Sequence, residues 1–332
     1  MNPLRFAVIG IGNIGKKHVE SISGITAAKL VAVCDIDPDK NDVSIKAKNI
    51  KFYTDYKQLI DLQGIDIVCI ATPHGLHAQM AIDCMRAGKH VIVEKPMALN
   101  STDCDLMNEV SNQTNKKLFV VKQNRFNLPI IATSEAIEKK KLGQIYLIQC
   151  NVFWNRGEEY YSESDWRGIN NLEGGALYTQ VSHFIDLFIL WFGDINEANT
   201  IIDTLHHKIE IEDTGVSSIR FKSGILGTLA WTNNVYNKNF EGSITIIGEK
   251  GTIKIGGKYL NEIEYWDVKS YPKPINGDLI EKVNDYGTYQ GSSSNHNKMF
   301  IEIIGNFIES RKGVVEGNEG KQTIIATELI YG

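Results

Sequence analysis

Cysteine is scarce, with 5 in 332 residues, at positions 34, 69, 84, 104 and 150, and no pair stands at CxxC or another metal-ligating spacing. An odd number of thiols, four of them in apolar or helical stretches, suggests buried, reduced cysteines in a cytosolic protein. Surplus positive charge is lacking too: 35 Lys and Arg face 40 Asp and Glu, a net charge of −5. A broad basic groove is thereby excluded and no nucleic-acid partner is expected, so any anionic ligand must be held by a few placed cations and backbone N–H groups. No apolar run is long enough to span a bilayer, and Met1-Asn2-Pro3-Leu4-Arg5 leads into a strand without a signal-peptide pattern; no membrane partner is expected. What remains is a chain of two-domain length, at about 100–200 residues per domain, able to bury its cores without staples.

Up to residue 123 apolar runs at 6–9, 30–34, 65–71, 90–94 and 118–123 predict buried parallel strands. Helical stretches at 13–23, 76–87 and 101–115 lie between them, and this alternation implies right-handed crossovers and a doubly wound sheet. Beyond residue 124 the pattern predicts a helix over 128–142, a strand over 144–154 and a long apolar helix over 175–192. Period-two strands follow at 197–204, 215–221, 226–232, 242–248 and 252–255, then a polar loop over 268–295 with Pro272 and Pro274, and helices near 296–310 and 318–330. The expected division is 1–123 and 124–332, the second part being an α+β domain with a large, mostly antiparallel sheet backed by helices on one face.

Gly10-Ile11-Gly12-Asn13-Ile14-Gly15 follows the first strand directly and opens the first helix. The first Gly permits the tight turn, the second lets backbone approach a pyrophosphate, and the third lets helix pack closely on strand. Asp35 ends the next strand twenty residues after Gly15, followed by Ile36 and Asp37. An acid there accepts hydrogen bonds from ribose hydroxyls, and two carboxylates without an adjacent Arg repel a 2′-phosphate, so NAD is favoured over NADP. The fold class is therefore α/β, a Rossmann doubly wound parallel sheet followed by the α+β domain.

Ligands of such sheets sit beyond the carboxyl ends of the strands. Two ends carry chemistry: Thr72-Pro73-His74 with His77 one turn on, and Glu94-Lys95-Pro96. A lysine at a strand terminus can hold a hydroxyl and, when neutral, take its proton. On the helix expected over 175–192, Thr179, His183 and Asp186 share one face at i, i+4 and i+7 spacing. The residues alone leave His183 open between a satisfied core histidine and a catalyst. His183 and Asp186 have no evident third ligand, and His206-His207 read as exposed loop residues, so no metal site is expected.

Gly10 to Gly15, Asp35, Thr72-Pro73, Glu94-Lys95-Pro96 and Gly174-Gly175 with His183 together resemble the glucose–fructose oxidoreductase/inositol dehydrogenase (Gfo/Idh/MocA) family, over essentially the whole chain. The resemblance implies NAD-dependent oxidation of a sugar or cyclitol carbinol, with Lys95 as catalytic lysine and His183 beside it. Inositol dehydrogenase-like members carry Asp four residues before this histidine; Thr179 stands there instead, which leaves His183 less basic and places more of the proton transfer on Lys95. Implied cofactor contacts are Gly10, Gly12, Asn13, Ile14, Gly15, Asp35, Ile36, Thr72, Pro73, His74, His77, Glu94, Lys95, Gln123, Trp166 and Arg167.

Further stretches narrow the resemblance: Val121-Lys122-Gln123-Asn124-Arg125-Phe126-Asn127, Tyr160-Tyr161 with Asp165-Trp166-Arg167-Gly168, Ile211-Glu212-Asp213-Thr214-Gly215, and the run from Glu241 to Thr252. These are similar to the branch that oxidises carbon 3 of UDP-N-acetyl-2-amino-2-deoxyglucuronate in bacterial surface-polysaccharide (O-antigen) synthesis. That likeness implies a UDP-linked N-acetylhexosaminuronate substrate, a functional link to an aminotransferase that aminates the ketone, and a homo-oligomer, dimer or tetramer. Lys95, Arg125, Arg156, Tyr160, Thr179 and His183 are the expected substrate contacts, since arginine forks suit carboxylates and phosphates. Tyr160, Tyr161, Tyr286 and Tyr289 are candidates for stacking on uracil. The rival readings are another sugar or cyclitol as substrate, and a non-catalytic regulator responsive to NAD or sugar.

Overall fold

The computed structural model describes residues 2–41, 50–274, 283–285 and 290–332; Tyr286 and Tyr289 lie outside the described residues. The chain divides into two compact units, residues 1–121 with 296–324, and residues 122–295 with 325–332. The first boundary falls close to the expected 123/124, but 296–324 belong to the first unit and not to the second. The physical reason is an apolar stripe. Helix His296–Glu309 buries Met299, Phe300, Ile303 and Ile304, with Phe300 edge-on to Phe6 and Phe307 edge-on to Phe119.

In the first unit, β1 (Leu4–Ile9), β2 (Ala28–Cys34), β3 (Lys51–Tyr53), β4 (Ile67–Ile70), β5 (His90–Val93) and β6 (Leu118–Val120) form one sheet in the order β3-β2-β1-β4-β5-β6. Every pairing is parallel. All four residues of β4 are buried, as expected of a central strand covered on both faces. The strand order reverses between β1 and β4, which is where an open α/β sheet leaves its ligand crevice.

The second unit holds a seven-stranded sheet made of β7 (Ile145–Phe153), β8 (Ile195–Asp203), β9 (Thr214–Phe221), β10 (Leu226–Thr232), β11 (Glu241–Gly248), β12 (Gly251–Gly256) and β13 (Glu262–Val268), in the order β13-β12-β11-β7-β10-β9-β8. Only the β7–β10 pairing is parallel. Alternate residues such as Ile148, Cys150, Leu229, Trp231, Ile244 and Ile246 point into one core with Phe184, Ile185, Phe188 and Ile330. No helix among the described residues is long and apolar enough to cross a membrane.

Three local expectations are corrected. The long helix over 175–192 is two helices, Ala176–Thr179 and Ser182–Phe192. Ala176 O accepts from both Gln180 N and Val181 N, each at 3.0 Å, a widened turn that ends the first helix. Thr179 therefore does not share a continuous helix face with His183 and Asp186. The helix expected to run to residue 142 stops at Glu138, and Lys140 then takes a positive φ of 53°. The stretch 268–295 is not all loop, since β14 (Val283–Asp285) pairs with β15 (Gln290–Ser293).

Candidate active site

The glycine turn is shaped by what each position excludes. Gly10 has a φ of +88°, and a Cβ there would lie 2.4 Å from Ala71 O. A Cβ on Gly15 would lie 1.8 Å from Gly10 O, so the helix can sit this close to β1 only on glycine. Gly12 differs: a Cβ would meet nothing within 4 Å. Helix Asn13–Ser23 starts there with no side-chain cap and no acid in its first turn, so its N–H groups face an open space. Asp35, just past β2, is pinned by Ile11 N (2.7 Å to Oδ2) and Asp37 N (3.0 Å to Oδ1). Open backbone donors beside a fixed carboxylate fit the pyrophosphate and ribose of a dinucleotide. Ile36 is 89% exposed next to it. Gly12→Val should therefore weaken NAD binding about tenfold or more while leaving the thermal midpoint unchanged, as titration of NADH fluorescence and a melting curve would register.

Past β4 and β5 lie the two strand-end loops. His77 is fully buried, with Nε2 2.9 Å from Thr72 O and Nδ1 2.8 Å from Pro96 O. Its two ring nitrogens face a backbone carbonyl on each loop and tie the two loops together. His74 is buried too, its ring 5.6 Å from that of His77. Glu94 likewise turns inward: Oε1 accepts from His18 Nε2 at 2.8 Å and Oε2 accepts from Lys95 N at 3.1 Å. The strand end thus carries a buried carboxylate holding the peptide of Lys95.

In the second unit, the 3-10 turn Gln123–Phe126 and helix Ser182–Phe192 face one another through charge. Arg125 donates to Asp186 in bidentate fashion, Nε and Nη2 each at 2.8 Å. Lys122 Nζ lies 3.3 Å from Asp186 Oδ1. Burial would raise the Asp186 carboxyl, but Lys122 and Arg125 outweigh it and hold it well below the usual carboxylate range. His183, one turn back, has Nε2 3.3 Å from Gln123 Nε2. One edge of the Arg125 fork, expected for substrate, is therefore engaged by Asp186. Motif reading missed this acid as the anchor; its one signal was an Asp inside an otherwise apolar helix.

The other candidates of this unit gather around Tyr160. The guanidinium of Arg156 lies 5.2 Å from the Tyr160 ring and that of Arg167 lies 4.1 Å from it. Arg167 Nη1 donates to Tyr160 O (2.8 Å), and Arg156 Nη1 to Asn155 O (2.6 Å) and Asn239 Oδ1 (3.2 Å). Gln180 Nε2 donates to the Tyr160 hydroxyl at 3.3 Å, Thr179 hydrogen-bonds Gln180, and Trp166 sits beside Arg167. The buried Tyr161 is taken up by Asn233 and the ring of His207. His207 is not an exposed loop residue: its side chain is 4% exposed and lies on Asp213 at 3.2 Å. Asp213 also accepts from the backbone N–H groups of Leu205, His206 and His207.

Residues 4–122 match a family described as oxidoreductase family, NAD-binding Rossmann fold, and residues 130–254 match the GFO/IDH/MocA C-terminal domain. The chain is 34% identical to the WlbA dehydrogenase of Chromobacterium violaceum, solved with NADH and UDP-GlcNAcA, with a TM-score of 0.91 over 100% of this chain and 93% of that one. It is 33% identical to the Bordetella pertussis WlbA dehydrogenase, solved with the same two ligands, with a TM-score of 0.89 over 99% and 96%. It is also 28% identical to a myo-inositol 2-dehydrogenase of Thermotoga maritima, over 75% of this chain and 74% of that protein.

Proposed function

This chain belongs to the Gfo/Idh/MocA oxidoreductase family, and we propose that within it the chain oxidises the carbon-3 hydroxyl of UDP-N-acetyl-2-amino-2-deoxyglucuronate to the 3-keto sugar nucleotide. It is an NAD-dependent sugar dehydrogenase. The observation that carries the finer reading is the likeness, at 33% and 34% identity over nearly the full length, to two dehydrogenases solved with UDP-GlcNAcA. The Arg156–Tyr160–Arg167 cluster supports it, because a UDP-uronate presents a pyrophosphate and a carboxylate that need cations in an acidic chain.

NAD, when bound by Gly10, Gly12, Gly15 and Asp35, supplies the hydride acceptor. In this reading Lys95 takes or relays the proton of the sugar hydroxyl, and His183 orients that oxygen. Arg156 and Arg125 receive the anionic groups of the substrate. The ketone produced is a substrate for an aminotransferase. We propose a homo-oligomer as well: Leu147, Leu226 and Ile247 are cross-strand neighbours on the face of the sheet away from the core, each 39–44% exposed, and a second copy would cover that row. The five cysteines are all buried and unbridged, which suits a reducing cytoplasm.

The likeness to an inositol dehydrogenase favours a second reading, a free sugar or cyclitol as substrate. NADH formation with UDP-N-acetylglucosaminuronate, the free N-acetylglucosaminuronate and myo-inositol separates the two. The nucleotide should raise kcat/KM by about a hundredfold or more, since remote binding energy is used at the reacting carbon. Equal or faster turnover of either free compound would reject it.

A further inference from the structure

Three buried ionisable side chains of the first unit meet behind Lys95. His18 lies on helix Asn13–Ser23, Glu94 follows β5, and His296 opens helix His296–Glu309; they are 0%, 6% and 1% exposed. His18 Nε2 lies 2.8 Å and His296 Nε2 3.7 Å from the same oxygen, Oε1 of Glu94. The other oxygen, Oε2, accepts from the peptide N–H of Lys95 at 3.1 Å. Phe300 packs edge-on against the His18 ring at 5.1 Å and fixes its plane. Burial alone would raise the Glu94 carboxyl, yet the two histidines hold it well below its ordinary range, while burial pushes His18 down. Cys69 and His77 also face this carboxylate. A buried anion with two imidazoles is an expensive way to fill a core, because apolar residues of the same volume serve stability as well or better.

We infer that His18 and His296 are positioning residues for Lys95, acting through Glu94: the imidazoles fix the carboxylate, and the carboxylate fixes the lysine peptide. This rests on the reading above that Lys95 handles the substrate proton. A fixed carboxylate sets where the lysine leaves the backbone, and small displacements of a proton-transfer group cost heavily in rate.

The test is competitive labelling of Lys95 with acetic anhydride across pH, read by mass spectrometry on the NAD-loaded protein, which requires no sugar. His18→Leu and His296→Leu should each lower the pH midpoint of Lys95 labelling by about half a unit or more, since an unsupported Glu94 gives up charge beside it. They should lower kcat about tenfold or more with KM within about threefold. His18→Gln, whose amide N–H can still donate to Glu94, should recover most of both. An unchanged labelling midpoint in variants that fold and bind NAD overturns the inference. So does a loss confined to NAD binding or thermal stability, which marks a purely structural pin. Stoichiometric zinc in the wild-type protein that is lost from His296→Leu would also overturn it, by making the cluster a metal centre. If the wild type turns over no sugar nucleotide, the functional reading fails in that assay, while the labelling still decides the role of the histidines.

Discussion

Lys95→Ala is expected to lower kcat by about 10²–10⁴-fold, the range that a positioned general acid or base supplies, with the affinity for NAD essentially unchanged. The selectivity follows from how the loop is held. Glu94 grips the peptide N–H of Lys95, and His77 grips the carbonyl of Pro96. Both contacts survive truncation at Cβ, so the loop and the melting temperature should persist. Lys95→Arg sharpens the test, because a guanidinium keeps the charge but does not give up its proton near neutral pH. If Lys95 only attracted the substrate, the arginine variant would retain most of kcat; if it moves the proton, arginine should fail nearly as badly as alanine. Stopped-flow NADH absorbance at saturating sugar nucleotide reads both. An alanine variant turning over near the wild-type rate would remove Lys95 from the chemistry.

The parts of this architecture that motif and periodicity revealed are the ones whose causes are local. Gly10 and Gly15 are required by backbone contacts to Ala71 and to Gly10 itself, so a six-residue window carries the whole turn. The central strands read as apolar runs because both faces are covered. β3 escaped because Lys51-Phe52-Tyr53 is a three-residue edge strand with no buried residue. The break after Thr179 escaped because Gln180-Val181 has ordinary helix chemistry; a doubled acceptor at Ala176 ends the turn. The return of 296–324 to the first unit is a tertiary choice made by Phe300 and Phe307, and an amphipathic pattern does not name its partner. The same holds for the candidate site. Glu94 and His77 stand out in the sequence because they lie at strand ends, but their buried partners lie far along the chain or across a loop. Motif spacing locates residues that serve a ligand through the backbone better than residues that serve one another.

Asp186→Asn is expected to cost the second unit about 3–5 kcal/mol at neutral pH, the usual penalty for removing one member of a buried ion network. The carboxylate is 3% exposed, accepts from Nε and Nη2 of Arg125 and faces Lys122, which is itself 4% exposed. An amide of the same shape removes the negative charge that faces both cations at a buried position. All five tryptophans, at 154, 166, 191, 231 and 266, belong to this unit, so their fluorescence in a urea titration reports its unfolding and not that of the first unit. The pH dependence gives the mechanism its sign. The Asp186 carboxyl is held below its unfolded value, so its contribution is complete above about pH 4 and is lost as pH falls further toward its folded value. The gap between wild type and variant should therefore stay constant from pH 7 to about pH 4 and close below that. Adding Lys122→Met should return part of the lost stability, since one of the cations facing the missing charge is then gone. A variant within 1 kcal/mol of wild type at pH 7, by the ~±0.5 kcal/mol standard of a surface change, would mean that Asp186 does not hold the pair.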